Sequence, residues 1–424
     1  VGYIDEGIFN ALCALATETG EIMSNLQASQ VVILGAARTP QGKFLGGLSG
    51  LSAADLGKVA FRAAIERSGI NTADVAEVIV GNVVSAGIGQ ALPRQISLGA
   101  GVPNSVGGIT VNKICGSSLK SVMLAANGIK AGDGEVYLAG GTESMSRAPY
   151  LNDSIRQGNK FGEVKLRDAV QVDGLWCSLC DWGMGNAAEF IGRELEVTRR
   201  EMDEFAYRSH LLAGQATDAG KFKTEIAPVT IKGRKGDTII DSDEPIRRET
   251  TIEALSALKP AFESDGAVTA GNAPGMNDGA AAVVVSSMGY AEAHGHTPIA
   301  RVVSYGQAAV DPKWIFYAPV KAIPVALARA GWTADDVDLF EVNEAFAAQV
   351  LADMRGLARD GHRVPMEKVN IHGGAIALGH PLGASGARVL VTLIHALKAN
   401  NLKRGLAALC LGGGEGVALC VEVL

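Results

Sequence analysis

The chain carries one pattern twice, and that repeat constrains the fold more than any other feature. The first copy is AAIERSGINTADVAEVIVGN over residues 63–82, and the second is ALARAGWTADDVDLFEVN over residues 326–343. Each copy reads as an amphipathic helix stopped by glycine, a Thr-Ala-Asp cap, and a short apolar strand ending at asparagine. The continuations match in kind. After Asn82 come CGSS (115–118), an apolar helix to about Lys130, a strand over Glu135–Ala139 and the turn GGTES (140–144). After Asn343 come HPLGAS (380–385), an apolar helix to about Ala399, a strand over Leu406–Leu411 and the turn GGGEG (412–416). Closing strands are expected near Ala280–Ser287 and Val417–Leu424.

Strands alternating with helices predict an α/β protein, with mainly parallel sheets and helices on their faces. The double occurrence predicts two similar halves related by a pseudo-twofold. Segment 146–274 interrupts the first copy and carries Lys221, Lys223, Lys232, Arg234, Lys235, Arg247 and Arg248. It is expected outside the sheets, where loops carry function. The domain reading is therefore an N-terminal extension over 1–26, a first half over 27–145 and 275–297, an inserted loop domain over 146–274, and a second half over 298–424. Residues 1–22 lack the basic start of a secretory signal and the arginines of a transit peptide.

Composition supports large aliphatic cores: 47% of the 424 residues are hydrophobic and only 5% aromatic, with 53 glycines for tight turns. A formal charge of −7 gives no electrostatic reason to expect nucleic acid. No apolar run reaches the length of a membrane span. The six cysteines form no disulfide ladder, so a reducing, cytoplasmic compartment is expected. Cys177 and Cys180 form a lone C-x-x-C without a second ligand pair, which favours neither zinc nor redox chemistry.

The two matching strand–helix junctions hold the reactive residues. Cys115 is expected at the start of the helix Gly116–Lys130, where free N–H groups and the positive end of the dipole favour thiolate. His380 stands at the corresponding junction of the other copy, which could bring it beside Cys115 as a nucleophile–base pair. Cys410 ends a strand before Gly412-Gly413-Gly414, a turn that offers close backbone approach and N–H donors. Asn343 ends another strand, where its amide could orient a water or an oxyanion. Packed, inert residues are the competing reading at each position. Residues 412–416 lack the βαβ context of a dinucleotide fingerprint, Gly35–Lys43 has the wrong spacing for a phosphate loop, and no H-E-x-x-H occurs.

Taken together, NKICGSS, VNEAF, GHPLGASG and CLGGGEG resemble the thiolases in order and spacing, from about Val31 to the C-terminus. ARTPQGKF (37–44), AGGTESMS (139–146) and GNAPGMNDGAA (271–281) extend the likeness. The resemblance implies the thiolase fold, two βαβαβαββ halves with an inserted loop domain. It implies reversible Claisen condensation of two acetyl-CoA to acetoacetyl-CoA and CoA. Cys115 would carry the acyl group, and His380 would take its proton. Asn343 would hold a water in one oxyanion hole, Cys410 would move the α-proton, and the N–H groups of Cys115 and Gly412 would line a second hole.

Coenzyme A would contact Arg247 near its adenine, with Leu175, Gly183, Met184, Ala273 and Pro274 along the remainder. No cofactor or metal is implied, because coenzyme A thioesters enter as substrates. No membrane or nucleic-acid partner is implied either, and the family assembles as homodimers or homotetramers. Two departures touch the substrate side: Gly183 stands where many short-chain members have histidine in His-Met-Gly, and Pro274 replaces a frequent serine. The alternatives are a degradative 3-ketoacyl-CoA thiolase of broader chain length and a non-catalytic acyl-CoA-binding protein.

Overall fold

The computed structural model describes residues 28–424. The expected extension over 1–26 lies outside the described residues. The first half follows β1 (Val31–Arg38), α1 (Ala53–Ser68), β2 (Glu77–Gly81), α2 (Leu92–Gly99), β3 (Gly107–Val111), α3 (Ser117–Ala131), β4 (Val136–Ser144) and β5 (Asn277–Ser287). Between β4 and β5 the insertion supplies α4 (Met184–Glu194) and α5 (Arg199–Asp218). The second half follows β6 (Ala300–Ala309), α6 (Ala318–Ala330), β7 (Leu339–Val342), α7 (Ala347–Arg359), α8 (Ser385–Ala399), β8 (Arg404–Leu411) and β9 (Glu415–Val423).

The repeated sequence builds repeated local structure, with one difference. Ser52 and Asp55 form a capping box at the start of α1, and Gly69 ends the helix at φ 69°. Gly331 ends α6 at φ 68°. A left-handed stop of this kind suits glycine because it has no Cβ to clash. The Thr-Ala-Asp segment of the first copy then forms a single 3₁₀ turn capped by Asn71. In the second copy it stays a turn, closed by the Asp336 carboxylate accepting from the Thr333 N–H and hydroxyl, both at 2.8 Å.

The strand order is β7-β8-β9-β6-β1-β5-β4-β2-β3, with the short strand Gly42–Lys43 paired to β5. Reading outward from the β1–β6 junction, the halves match: β1-β5-β4-β2-β3 against β6-β9-β8-β7. The expectation of mainly parallel sheets is corrected. Only β2–β3, β2–β4 and β7–β8 run parallel, while β4–β5, β1–β5, β1–β6, β6–β9 and β8–β9 run antiparallel. Connection length explains it for β8 and β9. Three glycines join them, and a connection that short can only return the chain antiparallel. The second half also lacks a full counterpart of β3. A single bridge between Val369 and Phe340 stands in its place.

Side chains pack in layers around these strands. Helices α1 and α2 cover one outer face, with Phe61, Ile96 and Leu92 buried against Val284. Helices α3 and α8 lie together in the middle, with Leu119, Val122, Leu390 and Ile394 buried against both sets of strands. Burying each such side chain contributes roughly 1.5–3 kcal/mol. The two central helices touch at Gly386, where a Cβ would stand 2.4 Å from the Leu119 nitrogen. Helices α6 and α7 cover the other outer face, and α4 and α5 of the insertion join them through Ile191, Met202 and Phe205. The insertion therefore leaves the first half and helps build the core of the second. That brings its loop over the central junctions.

Candidate active site

Cys115 lies just ahead of α3, whose cap is Gly116. The turn is built by its neighbours. Asn112 Oδ1 accepts from the Ile114 N–H at 3.1 Å, and Ser117 Oγ accepts from Lys113 N–H at 2.9 Å and donates to the Ile114 carbonyl at 2.6 Å. Ile114 is held at φ 48°, a costly conformation for a β-branched residue. A side chain at Gly116 would force Leu411 to move, because a Cβ would come within 2.3 Å of Leu411 Cδ2. The backbone N–H groups of Cys115 and Gly412 face the Cys115 sulfur and favour its ionised form.

The expected preference for thiolate is corrected. Burial pushes the Cys115 thiol up to about 12, against the opposing pull of those two N–H groups. The helix start does not overcome enclosure in an apolar cavity.

His380 follows a four-residue helix, Ala375–Leu378, and Gly379 at φ 110°. A Cβ at Gly379 would stand 2.7 Å from Asn277 Cγ, and that asparagine's Oδ1 accepts the His380 N–H at 2.8 Å. The imidazole Nδ1 lies 2.6 Å from Ser385 Oγ. Ser385 spends its only hydroxyl proton on the Pro381 carbonyl at 2.9 Å, so it accepts from His380 Nδ1–H. The tautomer follows: Nε2 carries the lone pair, and no atom of the described residues pairs with it. Burial, followed by the charge of Arg388, lowers His380 to about 3, so the ring is neutral at pH 7.

Cys410 ends β8, fully enclosed, and burial, then the neighbouring Cys115 and Asp353, raise its thiol further above the usual range. The turn after it places Gly413 and Gly414 at φ 87° and 86°. Cys115, His380, Cys410 and Gly412 share one cavity of about 450 Å³, lined mostly by apolar side chains. Leu175, Gly183, Met184, Ala273 and Pro274 line it too.

Two predicted residues stand apart. Asn343 is fully buried at the end of β7, anchored by its N–H to the Ala408 carbonyl at 2.9 Å, and does not line the cavity. Both polar atoms of its amide lack a hydrogen-bond partner among the described residues. Arg247 lies outside the cavity, where its guanidinium donates to the Ala270 carbonyl at 3.2 Å.

Thus a thiol, a neutral imidazole with a free Nε2, a second thiol and two convergent N–H groups meet in one apolar cavity. Family models for the thiolase N-terminal domain match residues 31–289, and those for the thiolase C-terminal domain match residues 296–423. The chain belongs to the thiolase family.

This thiolase is 51% identical over 395 residues to an acetyl-CoA acetyltransferase of Cupriavidus necator, covering 93% of this chain and 99% of the relative. It is 48% identical over 394 residues to an acetyl-CoA acetyltransferase of Escherichia coli, at the same coverage. Among solved structures, an acetyl-CoA acetyltransferase of Bacillus anthracis superposes with a TM-score of 0.90 at 42% identity. One from Syntrophomonas wolfei gives 0.92 at 40% identity. Each covers 93% of this thiolase and 99% of its own chain.

Sequence reasoning missed three supports of this thiolase site. Ser385 fixes the tautomer and Asn277 holds the His380 backbone. Glu143 accepts from Asn82 Nδ2 and the Val84 N–H through Oε1, and from the Val83 and Gly383 N–H groups through Oε2. It thereby ties the β2 end to the turn after His380. All three lay inside the quoted motifs, but only the fold reveals their partners.

Proposed function

We propose that this thiolase is an acetyl-CoA acetyltransferase that condenses two acetyl-CoA to acetoacetyl-CoA and CoA, and runs the reverse cleavage. The observation that carries this reading is the convergence of Cys115, the free Nε2 of His380, Cys410 and the Gly412 N–H on one apolar cavity.

In the first step Cys115 Sγ attacks the thioester carbonyl while its proton passes to His380 Nε2. The neutral thiol and neutral imidazole suit this, since proton transfer can accompany attack. The carbonyl oxygen takes its developing charge against the N–H groups of Cys115 and Gly412. An oxyanion donor of this kind is worth on the order of 10²–10³ in rate. Collapse expels CoA, whose sulfur takes the Cys410 proton, and leaves an acetyl-Cys115 thioester beside a Cys410 thiolate and a His380 protonated at Nε2.

In the second step Cys410, as thiolate, takes the α-proton of a second acetyl-CoA. The enolate oxygen accepts from the His380 Nε2–H formed in the first step and from a water reaching the buried Asn343 amide, whose two unpartnered polar atoms suit that task. The carbanion attacks the acetyl carbonyl, and Cys115 leaves as its sulfur recovers the proton from His380 Nε2. The two thiols influence one another, so when one is ionised the other is held as the acid. That alternation matches a reaction in which each thiol in turn gives up its proton.

These steps use no metal and no redox cofactor, and the coenzyme A thioesters are substrates. Leu175, Gly183, Met184, Ala273 and Pro274 line the path of the pantetheine and acyl groups, and Arg247 sits toward the adenine end. The assembly is a homodimer or homotetramer working in the cytoplasm. The unpaired Cys177, Cys180, Cys410 and Cys420 suit a reducing compartment. Among the described residues no helix is long and apolar enough to cross a membrane.

The test is thiolysis of acetoacetyl-CoA with CoA by wild type and Cys115→Ala. Turnover by the wild type and its loss in the variant are expected. Equal turnover by both overturns the reading.

A further inference from the structure

The insertion folds a two-residue hairpin, Trp176–Cys177 against Trp182–Gly183, immediately before α4. Its register sets Trp176 directly opposite Gly183. A Cβ built on Gly183 would lie 4.0 Å from Cε3 and Cζ3 of the Trp176 ring, so the indole leans across the hairpin onto the bare face of the glycine. A longer side chain at 183 would compete for that space. The ring is still 40% exposed, a large apolar surface left on the wall of a cleft.

Behind this wall is a second cavity of about 490 Å³. It holds none of Cys115, His380 and Cys410, and its lining is more polar, with Ser85, Asn112, Asp173 and Ser178. Four residues belong to both cavities: Gly174, Trp176, Met184 and Gly412. Two of these have no side chain, so the partition consists of the Trp176 indole and the Met184 thioether. The thioether is flexible and can be pushed aside. The indole, with two torsions and a rigid ring, cannot be compressed. Because Gly412 also borders both spaces, the partition stands beside the N–H that faces the Cys115 sulfur, close to where an acyl group would be carried.

We infer that Trp176 is the residue that sets the acyl-chain limit of this enzyme, by closing the catalytic cavity against the second one. This rests on the acetyltransferase reading above. A two-carbon acyl group fits in front of the indole. A longer linear 3-ketoacyl chain would have to enter the space behind it. Removing the ring joins the two cavities and admits such chains.

The experiment compares kcat/KM for thiolysis of acetoacetyl-CoA and 3-ketooctanoyl-CoA in wild type, Trp176→Ala, Trp176→Leu, Trp176→Phe and Met184→Ala. One methylene in an apolar pocket is worth roughly 10–200-fold in discrimination. The eight-carbon to four-carbon ratio is therefore expected to rise at least about tenfold in Trp176→Ala. A smaller rise is expected in Trp176→Leu and Met184→Ala, and less than about twofold in Trp176→Phe. Retained melting temperature and retained alkylation of Cys115 by iodoacetamide show that a variant is folded. If Trp176→Ala does not fold, the leucine variant carries the test. A wild type that prefers four carbons, with folded Trp176 variants of unchanged ratio, overturns the partition and leaves the acetyltransferase reading standing. A wild type that prefers eight carbons, or cleaves neither substrate, overturns both.

Discussion

The Cys115 turn and the His380 turn occupy corresponding positions in the two halves, yet they are built from different parts. The first follows a complete strand, β3, and presents its sulfur to two backbone N–H groups. The second has only a single bridge where that strand would be, and reaches α8 through a four-residue helix and a left-handed glycine. The chemistry explains the divergence. A nucleophile that becomes a thioester needs N–H donors aimed at the oxygen of its acyl group. A base needs its far nitrogen tied down and its near nitrogen left bare. One repeated topology thus carries two unlike electrostatic environments, both of which hold their residue neutral.

The largest effect that separates the two turns is removal of the nucleophile. Cys115→Ala is expected to lower kcat for thiolysis by at least about 10⁴-fold, in the range seen when a covalent nucleophile is deleted. Iodoacetamide labelling at that position should vanish with it. A residual rate within tenfold of wild type would mean that another group receives the acyl chain.

His380→Ala should cost about 10³-fold, typical of losing a positioned general base, while Cys115 remains open to alkylation. The pH dependence sharpens this contrast. Burial has pushed the Cys115 thiol up to about 12, so below that value its thiolate fraction grows tenfold for each pH unit. Burial has lowered His380 to about 3, so the ring loses its proton as pH rises through 3 and stays neutral above. Alkylation of Cys115 in the free enzyme should therefore climb about 10³-fold from pH 6 to pH 9 without a plateau. A plateau near neutrality would reveal a thiolate–imidazolium pair and break the claim that both turns hold neutral groups.

Much of this comparison was readable in the sequence, for a local reason. Glycine stops at Gly69 and Gly331, the Thr-Ala-Asp turns, and the placement of Cys115 and His380 before helices all depend on residues a few positions apart. What stayed hidden depends on distant segments meeting. Antiparallel pairing of β4 with β5 requires the chain to return after a long insertion, and no local signal encodes that direction. The same holds for Asn277, which reaches the His380 backbone across 103 positions. The Cys115 ionisation was misjudged because helix ends are visible in a sequence and cavity enclosure is not. The strand-end position of Asn343 is readable in the sequence, but its separation from the cavity lining only the packing shows.

The smallest effect tests how the second turn is held. Ser385 touches no reacting atom; it acts through His380, accepting from Nδ1 while donating to the Pro381 carbonyl. Ser385→Ala leaves the Nδ1–H without a partner in a buried site, a loss of about 1–3 kcal/mol. It also removes the reason for the proton to stay on Nδ1, so part of the population would carry it on Nε2, where it blocks proton transfer from Cys115. The expected result is roughly a tenfold fall in kcat with KM for acetoacetyl-CoA unchanged, and partial recovery in Ser385→Thr, which restores the hydroxyl. The first turn provides the control. The Ser385 hydroxyl bonds to His380 and Pro381 and not to Cys115, so alkylation of Cys115 by iodoacetamide should keep the wild-type pH profile in the same variant. A parallel rise in KM, or a changed alkylation profile, would mean that Ser385 shapes the cavity as a whole rather than the histidine alone.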